Sequence, residues 1–282
     1  MAILSGLLAA LVWGVGNLAA SRASRAMPPY SLLAGISLVG LAVCAPLMIS
    51  EGAPRDASIG ALCWLALGGA ANIAGLSLLY IAYRAGDVAL VAPITSTEGA
   101  VAAVIAIAAG ERVHALVLVL LAVIVLGVVR VADADTFQVA AVGRFNWGVV
   151  TVACLAAICF GVSLYATGRA SAREQFGWVA ASPRVVGVIC VTLPMVMRGR
   201  IRITRAATPA LLLAAFSEVG GFILYSYAAH RSVAVSAVLG SLFAAFVVVG
   251  AAILFGERMN RGQWFGVAMI VVGVAVLGAV SG

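Results

Sequence analysis

Residues 88–112 read VALVAPITSTEGAVAAVIAIAAGER, and residues 235–258 read VSAVLGSLFAAFVVVGAAILFGER. Both stretches are long apolar runs that end in Gly-Glu-Arg, at residues 110–112 and 256–258, an offset of 146 (258 − 112). A second pair, SRAS at 21–24 and GRAS at 168–171, has an offset of 147 (168 − 21). Two matches at nearly the same offset, about half of the 282-residue chain, predict an internal duplication.

The composition predicts a protein whose solvent is mostly lipid. Of the 282 residues, 64% are hydrophobic and 10% are charged, and the mean hydropathy is +1.17. A soluble domain is nearer half apolar and a quarter charged. A helix needs about 20 apolar residues to cross the hydrocarbon core. We therefore predict an all-α membrane protein with ten transmembrane helices, at residues 2–20, 30–49, 59–82, 88–109, 113–132, 146–167, 176–197, 209–229, 234–255 and 263–281.

Five spans in each copy have a geometric consequence. An odd number of crossings leaves the chain on the opposite side of the membrane, so the second copy starts there and lies inverted. We predict two inverted five-helix repeats (5+5), at residues 1–135 and 144–282, around a central cavity. In secondary transporters with this plan, the substrate site lies near the bilayer midplane between the repeats.

At these residues the chain resembles the EamA-type ten-helix carriers of the drug/metabolite transporter (DMT) superfamily. The unit of that family ends in a proline-bearing helix, Gly-Glu-Arg and a glycine-rich last helix. Within the superfamily, the YddG-like amino-acid exporters are the nearest group, on overall similarity and on a mixed polar and aromatic cavity. The chain departs from the family pattern where Leu239 stands opposite Pro93, and where Ser37 stands opposite the family's arginine, Arg184.

The resemblance implies a secondary transporter that exports small metabolites, amino acids first among them, by alternating access. Exporters of drugs or other metabolites with the same fold, and lipid-handling flippases, are the alternatives. The expected location is a bacterial inner membrane, with a small solute and lipid as partners, and we expect a monomer. No P-loop, HExxH motif or nucleophile elbow is present, so we predict no enzyme activity, no cofactor and no metal.

Two carboxylates fall inside predicted spans, at Glu98 in the fourth and Glu218 in the eighth. A charged side chain at the bilayer centre costs about 2.5–3.5 kcal/mol on insertion scales, so such a residue faces a cavity or a partner, or stays protonated. We predict that both bind substrate and couple transport to protons. The alternative is a structural role, either as a protonated acid or as a partner of Arg184.

Further candidates follow from the repeat and from helical spacing. Asn72 is the counterpart of Glu218 at an offset of 146, and positions three, four and seven residues along share the face of each. Pro93 inside the fourth span is expected to bend that helix as a hinge beside the cavity, with a static kink as the alternative. Packing in the core or at the headgroup level is the alternative for the aromatic residues. The predicted substrate-binding residues are Trp13, Asn17, Asn72, Tyr80, Thr95, Glu98, Tyr165, Glu218, Phe222, Tyr225 and Ser241.

The net charge of +7 comes from 17 arginines and no lysine. Because these lie mostly in short loops, we interpret them as topology signals and expect no nucleic-acid partner. Family analogy places both termini in the cytoplasm, but the loops that would then be outside hold eleven arginines against five inside. The arginine count therefore favours the opposite orientation.

Overall fold

The structure is a computed structural model that describes residues 2–56, 58–86, 88–141, 147–247 and 261–281. All regular elements in these ranges are helices. They are α1 (Ala2–Ala26), α2 (Pro29–Glu51), α3 (Ile59–Ala85), α4 (Val88–Thr95), α5 (Glu98–Ala108), α6 (Ala115–Ala141), α7 (Trp147–Ser171), α8 (Phe176–Gly187), a π-helical turn (Val188–Thr192), α9 (Leu193–Met197), a 3₁₀ turn (Arg205–Ala207), α10 (Thr208–Ala229), α11 (Val233–Gly240) and α12 (Arg261–Ser281). Residues 243–247 are helical as well.

Six helical segments within the described ranges are long and apolar enough to cross a membrane, and four more are apolar but shorter. The six are Ile3–Ala26, Pro29–Glu51, Ile59–Ala85, Trp147–Ser171, Phe176–Met197 and Arg205–Ala229. The four are Glu98–Ala108, Ala115–Gly127, Val233–Val247 and Trp264–Gly273. The predicted all-helical, multi-pass class is confirmed. The second Gly-Glu-Arg ending, at residues 256–258, and the linker around residue 144 lie outside the described ranges.

The predicted continuous helix at 88–109 is broken in the structure. α4 ends at Thr95 and α5 begins at Glu98, because the N–H of Thr97 bonds three residues back, to Ile94 O at 3.2 Å, instead of four. The Thr97 hydroxyl donates to the same carbonyl at 2.7 Å. Glu98 therefore starts a helix instead of lying mid-way along one.

The second half of the chain has a matching break without a proline. α11 ends at Gly240, and the N–H of Leu242 bonds to Leu239 O at 3.2 Å before the helix resumes. The Ser241 hydroxyl donates to Val238 O at 2.8 Å. Pro93 alone therefore does not explain the break in the first half, since at both breaks a hydroxyl group donates to the carbonyl three residues back.

Helices from the two halves of the chain interlock. α3 packs along α7, α1 along α10, and α6 along α12. In the α6–α12 pair, a methyl group on Gly127 would lie 2.8 Å from Ile270 Cγ1, and one on Gly273 would lie 2.7 Å from Ile124 Cγ1. These reciprocal contacts mean that α6 and α12 run antiparallel. Small residues at such crossings let helices approach closely in lipid.

Candidate functional site

A small chamber lies between the two halves of the helix bundle. Its wall comes from α1, α3, α5, α7, α10 and the helical turn that contains Phe243, so both halves of the chain contribute. The space that the centre of a water-sized sphere can reach is about 30 Å³, which is room for roughly two water molecules. The lining residues are Trp13, Asn17, Asn72, Leu79, Glu98, Phe160, Ser163, Leu164, Glu218, Phe222 and Phe243.

Six of the eleven predicted substrate-binding residues lie in this wall. They come from four helices that are far apart in the sequence, and they combine two acids, two amides and two aromatic rings. They are Trp13, Asn17, Asn72, Glu98, Glu218 and Phe222. The tertiary structure therefore brings Asn72 and Glu218, which the repeat offset had paired, into one wall with four other predicted residues.

Three predicted tyrosines lie outside the wall. Tyr80 and Tyr165 each follow a lining residue by one position, which turns a helical side chain by about 100°. Tyr80 is buried in the core, and the ring of Tyr165 lies edge-on to Trp64 at 5.7 Å between centroids. The hydroxyl of Tyr225, which is fully buried, donates to Leu164 O at 2.8 Å. Their role in substrate binding stays a prediction.

The two predicted hydroxyl residues bond to their own helices. Thr95 donates to Val91 O at 3.1 Å and to Ala92 O at 3.0 Å, and Ser241 donates to Val238 O. Both side chains are buried at the helix breaks, beside the chamber and not in its wall. Pro93 lies two residues before the end of α4. Its function as a hinge, like substrate binding by Thr95 and Ser241, stays a prediction.

Five lining residues were not among the predicted ones. Ser163 and Leu164 lie three and four residues after Phe160, so the rule of helical spacing finds both once Phe160 is recognised as the counterpart of Trp13. Leu79 follows Asn72 by seven positions on the same face. Phe243 starts the helix after the second break, as Glu98 starts the helix after the first. The positions of these breaks are known only from the backbone structure. The five are Leu79, Phe160, Ser163, Leu164 and Phe243.

Two aromatic rings of the wall rest on glycines of the opposite half. A methyl group on Gly221 would lie 2.6 Å from Trp13 Cδ1, and one on Gly75 would lie 2.7 Å from Phe160 Cδ1. These distances are too short for any Cβ, so glycine is needed to seat each ring. The Trp13 ring also packs edge-on against Phe222, at 5.7 Å between centroids. The depth of both rings in the bundle therefore depends on paired glycines.

Arg184 and Glu218 form a buried ion pair behind this wall. Arg184 Nη2 donates to Glu218 Oε2 at 3.3 Å, and the Arg184 side chain is 0% exposed, while that of Glu218 is 13% exposed. The guanidinium carbon lies 5.2 Å from the centroid of the Phe222 ring. Of the alternative pairings of Arg184 with Glu98 or Glu218, the structure has the second.

The other buried acid has no such partner. Glu98 is 6% exposed, lines the chamber, and begins α5, where backbone N–H groups favour a negative charge. Within the described ranges, its carboxylate makes no ion pair. Nearby, Tyr83 donates its hydroxyl hydrogen to Asn17 Oδ1 at 2.8 Å, and Asn17 Nδ2 donates to Trp13 O at 2.9 Å. Asn17 is thereby held in the wall, whereas the Glu98 carboxylate lines the chamber without an ion-pair partner among the described residues.

Two loops, one from each half, meet at one end of the bundle. They are residues 52–56, after α2, and residues 172–175, after α7. The buried Glu174 carboxylate accepts the backbone N–H of Arg55 at 2.9 Å and that of Asp56 at 3.2 Å. The Glu51 carboxylate accepts the N–H of Gly177 at 3.0 and 3.1 Å, in the first turn of α8, where backbone donors have no partner within the helix. We call this arrangement the loop–loop contact.

Further groups extend the loop–loop contact at its exposed rim. Trp178 Nε1 donates to Gly52 O at 2.9 Å, and Arg173 pairs with Asp56 at 3.6 Å. Hydrogen bonds from Ser58, with a smaller contribution from Arg173, hold the pKa of Asp56 below its usual range. The carboxylate of Asp56 is thus ionised at neutral pH.

A second contact between the halves lies at the same end. Glu111 accepts the hydroxyl hydrogen of Ser232 and, at 3.4 Å, the N–H of Ala234 in the first turn of α11. The Phe176 ring at the start of α8 lies 5.4 Å from the His230 ring at the end of α10. The start of α8 and the end of α10 are therefore neighbours, and acids from the first half cap two helices of the second half there.

The sequence matches the model of the EamA-like transporter family over residues 1–132 and 146–279, nearly the whole chain in two segments. The chain belongs to the EamA-like transporter family. EamA-like proteins transport small molecules and are not enzymes, so this chain is a multi-pass membrane transporter whose partners are a small solute and lipid. The prediction of an EamA-type member of the DMT superfamily is confirmed, and each matched segment is one EamA repeat.

Comparison with other proteins adds to this at the level of fold. No curated protein matches the sequence. Nineteen chains in solved structures do match. One of them, from a crystal structure of a protein, has a TM-score of 0.76 and 19% identity over 99% of this chain and 96% of its own. An identity this low supports the shared fold alone.

Proposed function

We propose that this EamA-like transporter exports amino acids across a bacterial inner membrane by alternating access. The observation that carries the proposal is the chamber, in which each repeat places an acid and at least one aromatic residue around one space and the first repeat adds two amides. Glu98 and Glu218 would bind the ammonium group of a substrate, and the aromatic rings would contact its apolar side chain. Either acid would also accept a proton in exchange for substrate.

The architecture that we propose is ten spans in two inverted repeats, with bounds at 1–135 and 144–282. Two contacts between the antiparallel helices α6 and α12 support it: Gly127 contacts Ile270, and Gly273 contacts Ile124. The second contact is the first with the roles of the two repeats swapped. The aromatic rings show the same relation between the repeats: Trp13 of the first repeat packs on Gly221 of the second, and Phe160 of the second packs on Gly75 of the first. A two-fold axis perpendicular to antiparallel helices is the symmetry of an inverted repeat. The chain would act as a monomer.

Alternating access gives a function to the loop–loop contact. The contact joins the two repeats at one end of the bundle, so it would have to part whenever the chamber opens to that side. The chamber has room for roughly two water molecules, and an amino acid is larger, so binding requires the repeats to separate. The paired helix breaks after Thr95 and Gly240 lie beside the chamber, and Pro93 would help the first of them to bend.

Uptake into proteoliposomes tests this proposal. The purified protein is tested with leucine, phenylalanine, threonine, lysine and glutamate, with and without a pH gradient. We expect Glu98→Gln and Glu218→Gln to reduce uptake at least tenfold, because each removes a charge that would bind the ammonium group. Ser217→Ala is the matched control, since Ser217 precedes Glu218 but faces Gly16 of α1. Uptake of none of these amino acids by the wild type, or wild-type rates in both glutamine variants, would overturn the proposal.

A further inference from the structure

Arg184 has hydrogen-bonding capacity that the protein leaves unused. A guanidinium carries five N–H donors in a planar fork. Among the described residues, only Nη2 has a partner, and both Nε and Nη1 are buried without one. An unsatisfied buried donor is costly, and native structures seldom retain several on one side chain. A group that is not part of the chain therefore belongs beside Arg184.

The bond between Arg184 and Glu218 does not use the guanidinium fully. It is one contact of 3.3 Å, whereas strong charge-assisted bonds are about 2.7–2.9 Å long and guanidinium–carboxylate pairs are often bidentate. The stem of Arg184 is held in place by α2, where a methyl group on Gly40 would lie 2.8 Å from Arg184 Cδ. The side chain is thus fixed in position with Nη2 toward Glu218, and Nε and Nη1 have no hydrogen-bond partner among the described residues.

The guanidinium of Arg184 contacts two residues of the chamber wall, while Arg184 itself is fully buried behind them. Both of its neighbours, Glu218 and Phe222, line the chamber. Asn72 lines it too, and its Oδ1 has no partner within the described ranges. The chamber therefore has acids and an amide acceptor on its inner surface, with a cation directly behind Glu218.

We propose that Arg184 binds the carboxylate of the substrate, so that the site selects zwitterions over simple amines. This inference rests on the proposed function and narrows its substrate class. The substrate ammonium lies at Glu98 and Glu218, beside Asn72, and the substrate carboxylate bonds to the unused donors of Arg184 when the chamber widens. Glu218 then shares the guanidinium with the substrate.

Binding of amino acids and their carboxamides to the purified protein tests the assignment. Leucine is compared with leucinamide and phenylalanine with phenylalaninamide, which keep the ammonium and side chain but lack the carboxylate. Affinities come from the dose dependence of thermal stabilisation. We expect the wild type to bind the acid of each pair about tenfold or more tightly than the amide, as a charge-assisted bond requires.

Two variants locate the effect. In Arg184→Gln, the ratio of the affinity for the acid to that for the amide should fall close to one. In Arg184→Lys, it should fall to a few-fold, because lysine keeps the positive charge but not the planar fork of donors. Arg169→Gln, in an exposed arginine that lies over Trp64, should keep the wild-type ratio. If Arg184→Gln does not fold, the affinity ratios of the wild type and of Arg184→Lys still test whether Arg184 binds the carboxylate.

Three outcomes would contradict these expectations, and each has a different consequence. A wild type that binds the amides as well as the acids, or better, would overturn the assignment and leave an amine carrier. An unchanged ratio in Arg184→Lys would also overturn it and leave water as the partner of Nε and Nη1. Binding of neither member of either pair would overturn the proposed amino-acid function itself.

Discussion

The chamber and the loop–loop contact both place carboxylates between the two repeats, but they treat them differently. At the loop–loop contact, Glu174 accepts hydrogen bonds from two backbone N–H groups of the other repeat. Glu51 accepts one such N–H, which its two carboxylate oxygens share. In the chamber, Glu218 has one contact of 3.3 Å, and Glu98 makes no ion pair within the described ranges. Satisfied acids hold a structure together, and under-satisfied acids have capacity for a ligand.

This contrast separates structural from functional acids better than burial does. Glu174 is 3% exposed and Glu98 is 6% exposed, so exposure alone would group them. Their partners differ because the first lies beside the free amides of a loop and the second faces a space. The two regions can be tested separately, for movement at the loop–loop contact during transport and for ligand binding in the chamber.

The largest effect is expected from fixing the loop–loop contact in place. Ala53→Cys and Gln175→Cys, in a chain whose five native cysteines are replaced by alanine, put thiols where Gln175 Nε2 now lies 3.4 Å from Ala53 O. Oxidation should abolish uptake, because the repeats can no longer separate at that end, and reduction should restore it. The single-cysteine variants are the controls. Full transport by the oxidised pair would show that this end does not open.

The next largest effect is expected on stability, when the ion pair between Arg184 and Glu218 is broken. Arg184→Met leaves Glu218 buried without its cation, which costs about 3–5 kcal/mol of stability. The double variant Arg184→Met with Glu218→Met removes both charges and should recover most of that loss. Unfolding of the detergent-solubilised protein measures both. A double variant no more stable than Arg184→Met would mean that the arginine stabilises the fold through its packing instead of its charge.

The glycine seat of Trp13 gives a smaller effect with a matched control. Gly221→Ala places a methyl group 2.6 Å from Trp13 Cδ1 and should cost about 1–3 kcal/mol by overpacking, while pushing the ring into the chamber and slowing uptake. For Gly220→Ala the nearest atom is Val12 Cγ1 at 3.6 Å, an ordinary contact, so stability and uptake should stay near wild type. Equal effects of the two substitutions would remove the seat from the explanation.

The smallest effects are expected within the loop–loop contact. Glu174→Gln weakens two hydrogen bonds to a charged group and should cost about 1–3 kcal/mol. Asp56→Asn should change stability much less, because its ion pair with Arg173 is half exposed.

The small effect of Asp56 should depend on pH. Its pKa is lower in the folded chain, so its contribution is present above the unfolded value of about 4 and is lost as pH falls through the folded value. Thermal melts at pH 7 and pH 3 measure it. A larger loss in Asp56→Asn than in Glu174→Gln would reverse the assigned importance of the two acids.

Periodicity and composition by themselves determined the class of the protein. The apolar content requires helices in lipid, since only helices and closed barrels satisfy the backbone there, and the offset of 146 revealed the repeat. The same offset paired Asn72 with Glu218, and both now line one chamber. The cost of a charge in a span also singled out Glu98 and Glu218 without any structure.

The tertiary structure alone decided which of these groups meet. The choice of Glu218 over Glu98 as the partner of Arg184 depends on how α8 and α10 pack, and sequence spacing carries no information about contacts between helices. Tyr80 and Tyr165 lie outside the wall because each follows a lining residue by one position, which turns a helical side chain by about 100°. The orphaned donors of Arg184 are visible only once every neighbour is known, since hydrogen-bond satisfaction is a property of the packed chain.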